Sequence, residues 1–155
     1  MAKRQPKAKT AYELLERVCA AIKAHPLAYY QDQWMLKSKR DVVKRLRLTN
    51  EQARESCGTA YCRAGWIVAL HDGSAAARRM SCEWHSEEFG ERAREILAMP
   101  YQSSDDPIRE CRLFQSGTVA AHPGTRAYAR EGVRGLKAFM EQHKAHLKAR
   151  KLDGV

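Results

Sequence analysis

Most of the chain's options for chemistry fall in ten residues, CGTAYCRAGW, Cys57 to Trp66, which hold two of the five cysteines. Cys57 precedes an expected helix start, where the helix dipole and free N–H groups favour a thiolate. Joined to His25, His71, His85 or His122, it would make a cysteine-dependent enzyme. Spacing does not choose the histidine, because such a pair meets in space and not along the chain. Cys57, Cys62, Cys82 and His85 could instead form a zinc site of three thiolates and one imidazole, although C-x-x-H is a weak pattern. Helix, glycine turn, helix is also the outline of a DNA-reading unit. The helix that follows offers a groove little beyond Tyr61 and Arg63, which rules out that placement. The favoured reading is structural. Gly58 reverses the chain, Thr59 caps the next helix, Gly65 permits close contact, Trp66 fills volume and Cys62 acts as a small apolar residue. On that reading the chain has no catalytic residue, no metal ligand and no cofactor.

The other candidate chemistry is electrostatic. The net charge is +10, and it is clustered. Residues 1–9 carry +4, residues 37–47 carry +5 and residues 144–153 carry +3, which leaves the rest of the chain close to neutral. Such clusters attract polyanions by counterion release and steer them at long range. The middle segment supplies the candidate binding residues Lys37, Lys39, Arg40, Lys44, Arg45 and Arg47. Arginine mixed with lysine suits phosphate, since a guanidinium can hold two oxygens at once. No aromatic interrupts residues 37–47, so base stacking is not expected there, although Tyr29, Tyr30 and Trp34 are near in sequence. A solvated surface kept for solubility is the competing reading.

Helices must position these residues. Thr10 with Glu13 reads as a capping box, Leu14, Val18 and Ile22 form a stripe, and Pro26 stops the helix after His25. Residues 28–36 read as a short aromatic-rich helix, and Thr49 with Gln52 opens another. Residues 60–70 read as a central helix with Arg63 its lone charge. Ser86 is expected to cap a helix running to Met99, and Asp106-Pro107 to start one with Ile108, Cys111 and Phe114 facing inward. Thr125 opens the last and longest helix, with Tyr128, Leu136, Phe139, Met140, His143 and Leu147 on its apolar stripe. Gly132 and Gly135 inside it either weaken it or allow close packing.

The expectation is therefore an all-α protein, a single compact domain of six or seven helices with basic, partly frayed termini. Its parts are a tail over 1–9, a helical domain over 10–147 with a basic insertion at 37–48, and a tail over 148–155. The 155 residues suit one domain. The odd cysteine count and the lack of an apolar leader point to reduced thiols in a cytoplasm. Trp66 to Leu70, the longest apolar run, is too short for a membrane span.

The motif CGT-x-x-C-x-AG-W, met as Cys57, Gly58, Thr59, Cys62, Ala64, Gly65 and Trp66, resembles that of an uncharacterised family of small bacterial and phage proteins. His25-Pro26, Gln33-Trp34, Ala93–Met99, Leu113-Phe114 and Ala129–Met140 resemble its flanking blocks. The resemblance covers most of residues 12–142 and implies a helical fold and a bacterial or phage setting, with no activity attached. Residues 37–48, KSKRDVVKRLRL, depart from it as an insertion.

Charge and setting together predict a non-enzymatic binding protein, whose basic surface meets nucleic acid or an acidic, nucleoprotein host partner, in one form as an inhibitor. A cysteine-dependent enzyme built on Cys57 and a zinc-containing interaction module are the alternatives. A basic pocket for a small phosphorylated signal is a further one, since lysine and arginine can hold phosphate without a glycine-rich loop.

Overall fold

Several helices start where a short polar side chain satisfies a free backbone N–H. A computed structural model describes residues 7–31, 35–80, 88–99 and 121–152. Thr10 accepts from the Glu13 N–H at 3.2 Å and opens α1 (Ala11–Ala24). Ser38 caps α2 (Lys39–Arg45), and Thr49 with Gln52 forms the full reciprocal box of α3 (Asn50–Glu55). Then follow α4 (Arg63–His71), α5 (Ser74–Arg79) and α6 (Glu88–Leu97). Thr125 caps α7 (Arg126–Gln142), and α8 (Lys144–Ala149) completes eight α-helices among the described residues. The fold is all-α apart from a two-stranded ribbon, β1 (Met35–Leu36) antiparallel to β2 (Ala60–Tyr61). Ser86, Cys82, His85, Trp34 and the segment from Asp106 to Phe114 lie outside the described residues.

The expected stripe of α1 does what its spacing implies. Leu14, Val18 and Ile22 are buried, and α1 packs on α4, α7 and α8. α4 touches α1, α5 and α6, which makes it the central helix, yet Leu70 at its end is 41% exposed. Asp72, just past α4, takes two bonds from the Arg92 guanidinium on α6, at 2.7 and 2.9 Å. That partner, helped by His71, holds the Asp72 carboxyl below the usual range.

Two expectations about local structure are corrected. Residues 29–31 and 35–36, within the helix expected over 28–36, are not helical, and residues 32–34 lie outside the described residues. A 3-10 turn over Pro26–Ala28 leads into extended chain, and the Tyr30 N–H donates to the Tyr61 carbonyl at 3.1 Å. The partner strand offers backbone bonds that this aromatic segment takes in preference to its own. In consequence α4 begins at Arg63 and not at residue 60. Residues 60–61 are committed to the ribbon, so the cap falls to Cys62, whose sulfur accepts from the Gly65 N–H at 3.3 Å. Thr59, expected as the cap, receives the Arg78 guanidinium instead.

The last helix is broken. At His143 (φ −111°, ψ 19°) the chain turns, with the imidazole 4.7 Å from the Phe139 ring. Lys9 and residues 150–152, expected within the tails, are tied to each other and to the start of α1. The Leu152 N–H donates to the Lys9 carbonyl and the Ala11 N–H to the Arg150 carbonyl, both at 3.0 Å. Leu147 and Leu152 are buried in the main core.

Close packing decides the role of the glycines in α7. A Cβ at Gly132 would stand 2.5 Å from the Tyr29 ring, and one at Gly135 would stand 3.0 Å from the Arg63 guanidinium. Tyr29 and Arg63 are both buried, and both reach the Gln31 side-chain oxygen, at 2.9 and 3.1 Å. The Tyr128 hydroxyl accepts the Gln31 N–H at 3.0 Å. This polar knot joins α7 to α4 through the loop after α1, and burial pushes the Tyr29 phenol well above its usual range.

Candidate functional site

The basic segment is ordered as a short amphipathic helix on its own small core. Val42 and Leu46 are buried with Tyr30, Leu36 and Ala60, and Leu48 packs alongside. One helical turn separates Val42 from Leu46, so the remaining positions of α2 turn outward. Lys39, Arg40, Lys44, Arg45 and Arg47 are exposed, and none forms a hydrogen bond or ion pair among the described residues. Asp41, the acid in this stretch, is engaged by the Ser38 hydroxyl, not by a cation. Lys37 differs from the rest: its ammonium donates to the Met80 carbonyl at 2.7 Å. Arg47 holds a left-handed backbone (φ 49°), which lets the chain leave α2 and bring Leu48 back to the core.

Two glycine turns seat this helix. Gly58, in the CGT motif, is left-handed (φ 77°), and a Cβ there would come within 3.1 Å of Lys39 Cβ. Gly124 (φ 80°) leaves room for Leu48, which a Cβ would approach to 2.9 Å. The CGT glycine thus makes the reversal expected of it, and the space it leaves is taken by the start of the basic helix.

The same two turns border an open cleft of about 890 Å3. The end of α1 and the turn after it form one wall, with Lys23 and His25. The CGT segment brings Cys57 and Thr59, the base carries Tyr61 and Trp66, and the start of α7 contributes Arg126. Cys57 is exposed and its thiol donates to the Thr59 carbonyl at 3.4 Å. It does not lie at the α4 N-terminus, as expected, because that end is occupied by Cys62 five residues later. Of the histidines considered as its partner, His25 is on the cleft wall. His71 is paired with Asp72 at 2.7 Å, His122 faces its own turn at the Pro123 carbonyl, and His85 lies outside the described residues.

Cys62 is a different kind of thiol. It is buried, its sulfur is taken up by the α4 cap, and burial pushes its pKa up to about 11. A group that stays protonated at neutral pH is a poor nucleophile. Among the described residues no three of His, Cys, Asp and Glu come together as a metal site. Cys82 and His85, the other half of the zinc expectation, lie outside them. Nor, among the described residues, is any helix long and apolar enough to cross a membrane.

Sequence reasoning missed the cleft itself and the Gln31–Arg63 knot. Arg63, the lone charge on an otherwise apolar helix, was the signal for the knot, and Gly124-Thr125 marked one rim of the cleft. Neither signal names its partner, because the groups that meet are dozens of residues apart. No family model, curated protein or solved structure matches the chain.

Proposed function

We propose that the protein is a non-enzymatic binder of the bacterial cytoplasm, encoded by a bacterium or its phage, which presents α2 to the phosphates of nucleic acid or to an acidic nucleoprotein partner. The observation that carries this reading is a folded helix with its apolar side buried and Lys39, Arg40, Lys44, Arg45 and Arg47 exposed, with no partner among the described residues. Cations that the protein does not neutralise are free to displace counterions from a polyanion. Lys37, anchored to Met80, acts in this reading as a strut for the helix. Inhibition of a host nucleoprotein machine is one use of such a surface.

Binding to duplex and single-stranded DNA, followed by fluorescence anisotropy across 50 to 200 mM salt, tests the proposal. Five phosphate contacts give a fall in affinity of several hundred-fold, at about 0.9 counterions released per phosphate. Arg40→Gln, Lys44→Gln and Arg45→Gln together should reduce the slope by the equivalent of about three phosphates. A salt-independent affinity, or an unchanged slope in the triple variant, is incompatible with this mode. If DNA does not bind at all, pull-down from lysate with and without nuclease should yield an acidic partner that the triple variant fails to capture.

A second reading has one observation in its favour: exposed Cys57 and His25 line a common cleft. Under it Cys57 is the nucleophile of a small cysteine-dependent enzyme with His25 as its base. Alkylation of Cys57 at neutral pH should then outpace that of a free peptide cysteine and slow in His25→Ala. Equal rates dismiss the enzyme.

A further inference from the structure

The cleft has features that the α2 surface does not use. Lys23, His25 and Arg126 place three basic side chains on its lining against one carboxylate, Glu55. The first turn of α7, which reaches the rim, contains no acidic residue, so its N–H groups and dipole add to the positive field. Leu27, Ala28, Tyr61 and Trp66 give an apolar and aromatic floor.

We propose that this cleft is a second site, which takes a small organic phosphate of about mononucleotide size. Arg126 and Lys23 hold the phosphate, and the floor covers the ring system. Gln52 and Glu55 on the same lining supply partners for sugar hydroxyls or an exocyclic amine. A cavity of about 890 Å3 is ample for such a molecule, and small-ligand sites join an apolar lining to a few convergent polar groups in this way. The site stands apart from α2 and does not depend on the polyanion reading.

Cys57 reports on occupancy because it is exposed on the cleft wall. Its alkylation by iodoacetamide, read by peptide mass mapping, is measured in the full chain with each of the four common nucleoside monophosphates and with inorganic phosphate, all at millimolar concentration. At least one nucleotide should slow the reaction several-fold and shift tryptophan emission. Arg126→Gln, on an exposed side chain, should weaken that protection about tenfold, and Trp66→Phe should abolish the emission change. The α2 triple variant should retain full protection. Absence of protection by every nucleotide overturns the proposal, as does protection equal to that by inorganic phosphate, protection unchanged in Arg126→Gln, or protection that disappears with the α2 charges.

Discussion

Arg47 shows how far one residue's conformation and charge can be separated. Its left-handed backbone costs an L-residue about 1–2 kcal/mol, and glycine escapes that cost while losing more chain entropy on folding. Arg47→Gly should therefore leave stability unchanged or raise it by up to about 1 kcal/mol. Urea unfolding measures this, and anisotropy with DNA on the same sample should show a salt slope shallower by the equivalent of about one phosphate. A destabilisation well beyond 1 kcal/mol would mean that the side chain is not free. Residue types told much at this scale. Gly58 was legible as a left-handed pivot, and Cys62 as a small buried residue. The thiol's work as a helix cap was not legible, because nothing local says that residues 60–61 are taken by a strand.

At the scale of elements, α7 sets intrinsic preference against packing. Alanine is favoured over glycine by about 1 kcal/mol in an exposed helix interior. At Gly132 the sign should reverse, since a Cβ 2.5 Å from the Tyr29 ring forces Tyr29 off its bonds to the Gln31 knot. Gly132→Ala should cost about 2–3 kcal/mol by thermal or chemical denaturation. A neutral or stabilising result would mean that α7 and the loop after α1 do not meet as described. The sequence left open whether these glycines weaken the helix or admit a neighbour, and Tyr29 decides for the neighbour. The same contest explains residues 29–31 and 35–36. Their composition allowed a helix, and the ribbon with residues 60–61 prevailed by offering backbone partners from a distant segment.

On the scale of the whole molecule, residues 147–152 close the fold against α1. Leu147 and Leu152 are buried beneath α1, and the backbone of residues 150–152 pairs with residues 9–11. A chain ending at His146 loses both leucines, worth about 1.5–3 kcal/mol each. Against a total of about 5–15 kcal/mol this should lower the melting temperature sharply, as followed by circular dichroism. An unchanged melting temperature would show residues 147–152 to be dispensable. Much of the architecture was legible from sequence alone: the caps at Thr10, Thr49 and Thr125, the α1 stripe, the central place of α4 and the outward charge of residues 39–47. These follow from short-range rules, in which a side chain meets its own backbone or repeats with the helical turn. Tertiary structure alone decided which turns seat the basic helix, which thiol is exposed, and that Lys23, His25, Trp66 and Arg126 line one cleft. Those outcomes depend on segments far apart in the chain competing for the same volume and hydrogen bonds, and no local pattern records who wins.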